Sequence, residues 1–142
     1  MAKYGKTLET PLREFIEWRI EYYHENKRQL AAEKAAMIPS QISQYGYKAS
    51  SGFNPEQRPT EDISIRLTAE YIFEQEKFIT VFESVYEKLS DQDKELIRLK
   101  YWSGELTPDG IALKLNIDKS TLYYRLNNII VEIARRLGLV SL

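Results

Sequence analysis

A chain of 142 residues, 43% hydrophobic and 29% charged, suits one domain or a small domain with a long appendage, in the ordinary globular range. The absence of cysteine excludes disulfides, thiolate metal sites and thiol nucleophiles, and it fits a reducing cytoplasm. The net charge of −1 is not the basic excess that many nucleic-acid binders carry, and the single histidine, His24, cannot by itself supply a metal site.

No apolar run approaches the roughly 18 residues of a membrane span, and MAKYGKTLET does not read as a secretory signal. Charge is unevenly spread. Residues 1–60 hold nine Lys/Arg against seven Asp/Glu, residues 61–106 six against eleven, and residues 107–142 five against three. The acidic excess therefore precedes a mildly basic C-terminal segment.

The first predicted helix starts at Thr10, which can cap, with Pro11 in the first helical position, where a missing N–H costs nothing. Leu12, Phe15, Ile16, Ile20, Tyr23 and Leu30 form a narrow apolar stripe that runs to just before Pro39. Such a helix needs a partner helix. Residues 39–59 carry prolines, glycines and serines and read as a loop, with Tyr45, Tyr47 and Phe53 expected to pin it onto the helices. A second long helix is expected from about Thr60 to Leu89. It has a wider stripe of Leu67, Tyr71, Ile72, Phe78, Ile79, Phe82, Val85, Tyr86 and Leu89, and it should pack antiparallel to the first. Ser90 with Asp93 has the form of a capping box. It opens a third helix that buries Leu96, Ile97 and Leu99 or Tyr101 and ends at Gly104.

Thr107-Pro108 repeats the cap-then-proline start. A short helix with the small residue Ala112 then reaches a turn at Leu115-Asn116-Ile117, where Asn116 suits a left-handed backbone and Ile117 plugs the gap. Asp118 or Ser120 can cap the long helix that follows, whose inward face is Leu122, Leu126, Ile129, Ile130, Ile133 and Leu137. At 100° per residue, Ser120, Tyr124, Asn127 and Asn128 fall on the opposite face. Two helices around a tight turn, the second with a polar outer face, have the form of a DNA-reading helix-turn-helix. Base edges are assigned to Thr121, Tyr124, Arg125 and Asn128, and phosphates to Lys114, Lys119 and Ser120, because amides and guanidiniums match base edges while Lys and Ser reach phosphates. The bland alternative is a solvated helix face in an ordinary helical hairpin.

Residues 89–137, LSDQDKELIRLKYWSGELTPDGIALKLNIDKSTLYYRLNNIIVEIARRL, resemble region 4 of sigma-70 type sigma factors, including an "L-R-Y"-like patch at Leu99-Lys100-Tyr101. More narrowly, the whole chain is similar to the RinA/ArpU-type transcriptional regulators of Gram-positive phages. The resemblance implies a small phage-encoded activator of late genes, packaging and morphogenesis among them. In many such recognition helices an apolar residue stands where this chain has Arg125, with Leu126 taking the core role one position on.

The expected architecture is all-α. Residues 1–89 form a long-helix pair with loop 39–59, for oligomerisation or regulation, and residues 90–142 form the helix-turn-helix module. The expected partners are double-stranded DNA and a second copy in a homodimer, since one reading unit buries little surface. An acidic face over residues 61–95 is a candidate contact for host RNA polymerase, although plain solvation is favoured. A small terminase-like packaging protein is the alternative, but such proteins usually place the DNA unit first. Glu21 and His24 have the spacing of di-iron helices, which need two such pairs, so neither an enzyme nor a metal or other cofactor is expected.

Overall fold

The computed structural model describes residues 8–36 and 59–140, and every regular element among them is helical. The elements are α1 (Thr10–Glu21), α2 (Tyr23–Ala36), α3 (Pro59–Glu87), α4 (Asp91–Ile97, continued by a π-helical turn over Arg98–Ser103), α5 (Pro108–Leu115) and α6 (Lys119–Arg136). The expected loop, with Tyr45, Tyr47 and Phe53, lies outside the described residues save for Pro59, which opens α3. No helix among the described residues is long and apolar enough to cross a membrane.

The first helix departs from expectation at both ends. Glu9, not Thr10, occupies the cap position, and Pro11 follows Thr10 inside the helix. The amide of Arg13, which a Thr10 side chain would cap, is already bonded to the Glu9 carbonyl at 3.0 Å. The expected single run to Pro39 is interrupted at Tyr22 (φ −96°, ψ 16°), and beyond it, among the described residues of α2, Tyr23 and Leu30 are the buried ones.

Two compact units divide the chain, Met1–Tyr23 with Ile79–Leu142, and His24–Phe78. The expected boundary at residue 89 therefore falls inside the first unit, which takes in α1. Its core joins Ile16 and Ile20 of α1 to Phe82 and Val85 of α3, Leu96, Ile97 and Leu99 of α4 and its π turn, Ile111 of α5, and Leu122, Leu126, Ile130 and Ile133 of α6. Tyr23, Phe82, Tyr86 and Trp102 make a cluster of rings with centroids 4.8 to 6.2 Å apart. Trp102 Nε1 donates to the Ile20 carbonyl at 2.9 Å, and the Tyr23 hydroxyl donates to Glu83.

Ser90 caps α4, its Oγ accepting from the Asp93 amide at 3.2 Å, which is one half of the expected capping box. The helix it starts widens into the π turn and stops at Gly104 (φ 66°), a left-handed position that favours glycine. Within the second unit, Leu30, Ile72, Phe78 and the side chain of Gln75 are buried, and Lys34 pairs with Glu76. Ile63, Leu67, Tyr71 and Phe73 of α3 are each about half or more exposed, so part of the expected apolar stripe lies on the surface of this unit.

Candidate nucleic-acid interface

Helix α5 is fixed at both ends by its own residues. Thr107 Oγ1 accepts from the Gly110 amide at 3.2 Å, and Pro108 fills the first helical position. At the other end Asn116 turns left-handed (φ 56°, ψ 47°). The Asn116 amide returns to the Leu113 carbonyl at 3.2 Å and the Ile117 amide to the Ala112 carbonyl at 3.0 Å, the bond pair of a Schellman cap. Ala112 is buried where α5 meets α6, and Ile117 is half-buried. Asp118 then extends (φ −72°, ψ 151°) into the start of α6 without a side-chain capping bond.

A glutamine that the sequence reading passed over braces this arrangement. Gln92 Nε2 donates to the Leu115 carbonyl at 3.2 Å, closing the C-terminus of α5. Its Oε1 accepts from Arg125 Nη1, and the same guanidinium nitrogen reaches Asp93 Oδ1 at 3.5 Å. One side chain of α4 thus holds both helices that flank the turn.

The structure separates the seven candidate residues into two groups. Lys119, Ser120 and Tyr124 are exposed and Thr121 is half-buried on the first two turns of α6, and Lys114 is exposed on α5. Lys119 pairs with Asp109 at 3.2 Å, both side chains being largely in solvent. Arg125 and Asn128 line a groove of about 500 Å³ with Val85, Leu89, Gln92 and Asp93, where Arg125 is engaged as described, and Tyr124, though exposed, lines the same groove. Asn128 Oδ1 is buried there without a hydrogen-bond partner among the described residues. Asn127, assigned to the polar face, meets α1, since its Oδ1 accepts from Arg13 Nη1 at 3.2 Å.

The C-terminal half of α6 is enclosed on more sides than a one-faced helix. Val131 and Ala134 are fully buried in addition to the expected Ile129, Ile130 and Ile133, while Leu137 is only half-buried. Glu132 sits between Arg135 (2.6 Å) and Arg136 (2.8 Å). The hydrogen bond from Arg135, helped by Arg136 and opposed by partial burial, holds its carboxyl down to about 2. Arg136 Nη1 also donates to Ser84 Oγ at 3.0 Å, tying α6 back to the end of α3. What α6 leaves open to a ligand is its N-terminal half, with hydroxyl, ammonium and phenol groups side by side.

Comparison of the chain with protein-family models, with curated proteins and with solved structures gave no match.

Proposed function

We propose that the chain is a sequence-specific DNA-binding transcriptional regulator, a phage or prophage activator of late genes, that acts by binding and not by catalysis. α4–α6 serve as its helix-turn-helix module, and α6 enters the major groove. The observation that carries this reading is the conjunction of the Schellman turn at Asn116 with the open N-terminal half of α6. Lys119, Ser120, Thr121 and Tyr124 share that half, and the apolar side of the helix, Leu122, Leu126, Ile129, Ile130 and Ile133, is buried behind them. A turn closed by backbone bonds fixes the angle between two helices, and a helix buried behind and polar in front can lie in a groove about 12 Å wide. In this reading Thr121 and Tyr124 read base edges, and Lys114, Lys119 and Ser120 reach phosphates. Arg125 contributes by releasing its bonds to Gln92 and Asp93, and Asn128 by turning its amide out of the groove.

Helices α2 and α3 are proposed to pair antiparallel and to form the homodimer contact. The exposed stripe of Ile63, Leu67 and Tyr71 supports a second copy there. The test is selection of binding sites from a random-sequence duplex pool by the full chain, followed by Tyr124→Ala and Thr121→Ala on the selected site. Enrichment of a two-half-site sequence, lost with either variant while the fold persists, is the expected result. No enrichment rejects DNA reading. Enrichment without response of a late-promoter reporter rejects activation and favours packaging-site recognition.

A further inference from the structure

A relay of hydrogen bonds joins three helices at the edge of the open face of α6. The Tyr101 hydroxyl donates to Glu17 Oε2 at 3.1 Å, and burial and the Glu17 charge both push this phenol's ionisation upward, so it stays a donor. Arg13 Nε donates to Glu17 Oε1 at 3.0 Å, and Arg13 Nη1 donates to Asn127 Oδ1 at 3.2 Å. The direction of the relay is set by chemistry. Glu17 only accepts when ionised and a guanidinium only donates, so the oxygen of the Asn127 amide must face Arg13 and its NH₂ must face away. That NH₂ is neither buried nor bonded among the described residues.

Position on the helix gives this donor a target. Ser120, Tyr124 and Asn127 are spaced i, i+4, i+7 and lie along one line of α6. Asn127 stands roughly 10 Å beyond Ser120 along the axis, at 1.5 Å per residue. Val131, one turn farther, is fully buried, so Asn127 is the last position on that line before the interior. With the first turns of α6 in a major groove, a residue that far back stands at the groove rim, where the sugar-phosphate backbone runs.

We propose that Asn127, its amide oriented by Arg13 of α1, donates from Nδ2 to a phosphate oxygen at the groove rim, which makes α1 part of the DNA-binding surface. The proposal rests on the DNA reading above. Asn127 is the contact, and Arg13 and Glu17 are positioning residues.

The test is a phosphate-by-phosphate scan. Single methylphosphonate linkages, which remove one phosphate charge and weaken one acceptor, are placed along the selected duplex, and affinity is measured by anisotropy for the full-length wild type and for Asn127→Ala. One linkage is expected to weaken the wild type about five- to tenfold and to leave Asn127→Ala unaffected, because the partner is already gone. Arg13→Met should reproduce part of that insensitivity, and Arg13→Lys, which also donates to the amide oxygen, should bring back the wild-type sensitivity. Wild-type binding with no linkage coupled to residue 127 overturns the proposal and leaves the DNA reading standing. A wild type that binds no duplex overturns both. A base-pair preference that changes in Asn127→Ala, with no phosphate coupled, overturns the phosphate assignment. Wild type and variants are expected to keep the same far-UV circular dichroism and a cooperative melt, and Asn127→Asp, which keeps an acceptor for Arg13 but puts an anion at the rim, should bind at least tenfold more weakly.

Discussion

Ile20→Ala tests whether α1 folds as part of the same unit as α4–α6. Ile20 is fully buried, and its carbonyl accepts the indole N–H of Trp102, 82 residues away. The substitution leaves that backbone bond in place and deletes three carbons. At about 0.8 kcal/mol per buried CH₂ the transfer loss is about 2.4 kcal/mol. Incomplete closure of the cavity brings the total to about 3 kcal/mol, within the usual range for large-to-small core changes. At roughly 4–8 °C per kcal/mol for a unit of this size, the melting point should fall by about 12–24 °C. The assay is urea unfolding in a Trp18→Phe background, since Trp18, the other of the two tryptophans, is half-exposed and would blur the signal. Trp102 emission and far-UV circular dichroism should then move together to a lower midpoint with an unchanged slope. The reasoning is refuted by a loss under about 1 kcal/mol. It is equally refuted if Trp102 emission keeps its wild-type midpoint while part of the helical signal melts early, which would return the boundary to residue 89.

Three further outcomes follow from particular contacts. Asn116→Val should cost about 1–2 kcal/mol, because a β-branched residue is forced to a φ of 56°, whereas Asn116→Gly should hold or gain a few tenths; thermal melts of the pair decide this. Gln92→Leu removes the donor to the Leu115 carbonyl and the acceptor of Arg125 together, so about 1–2 kcal/mol should be lost. Amide exchange at the C-terminus of α5 should quicken in that variant, and unchanged protection there would reject the brace. For Glu132 the folded-state carboxyl lies near 2 against an ordinary 4.5, so its stabilisation is complete above the ordinary range and is lost as pH falls from about 4.5 toward 2. Urea midpoints of wild type and Glu132→Gln should therefore differ by a constant amount from pH 5 to 7 and converge below that, and parallel profiles throughout would contradict the assignment.

The features that could be read from sequence are those whose causes are local. Ser90 and Thr107 cap because each places a hydroxyl within reach of an otherwise unbonded amide three residues on, and Asn116 turns left-handed because asparagine tolerates the backbone that the Schellman bonds require. Whatever depends on a distant partner was not legible. Arg13 and Asn127 are 114 residues apart, and nothing in PLREFIEW marks its arginine as the holder of a particular amide. The docking of α1 left one trace that could have been used. In IIVEIA, Val131 and Ala134 put apolar side chains on the flank of α6 that carries Asn127, and a helix apolar on more than one side must be covered on more than one side. The same covering explains the split of the candidate site. Helical angles alone place Asn127 and Asn128 beside Tyr124, but α1 takes the first and the groove by Leu89 takes the second. The break at Tyr22 and the π turn at Arg98–Ser103 have no counterpart in composition or period.

The charge balance around α6 bears on how such a unit would discriminate. Lys119 faces Asp109, Arg125 faces Asp93, and Arg135 and Arg136 share Glu132, so phosphates must compete with carboxylates already in place. An exposed pair such as Lys119–Asp109 is worth about 0–1 kcal/mol, so a phosphate at the right distance displaces it at little cost. At a wrong register the lysine stays with its carboxylate and contributes nothing. On the proposed reading, internal pairing would suppress the sequence-independent attraction that dominates non-specific binding more strongly than it suppresses a well-fitted contact. One module with so few uncommitted cations gains little affinity from any single half-site. Two modules joined through the α3 stripe would recover it by binding two half-sites at once, at the same low background. On the proposed reading, near-neutral charge and a need for a second copy are thus two sides of one arrangement. A monomeric variant carrying charges at Leu67 and Tyr71 should lose specific binding almost entirely while its weak non-specific binding stays as it was.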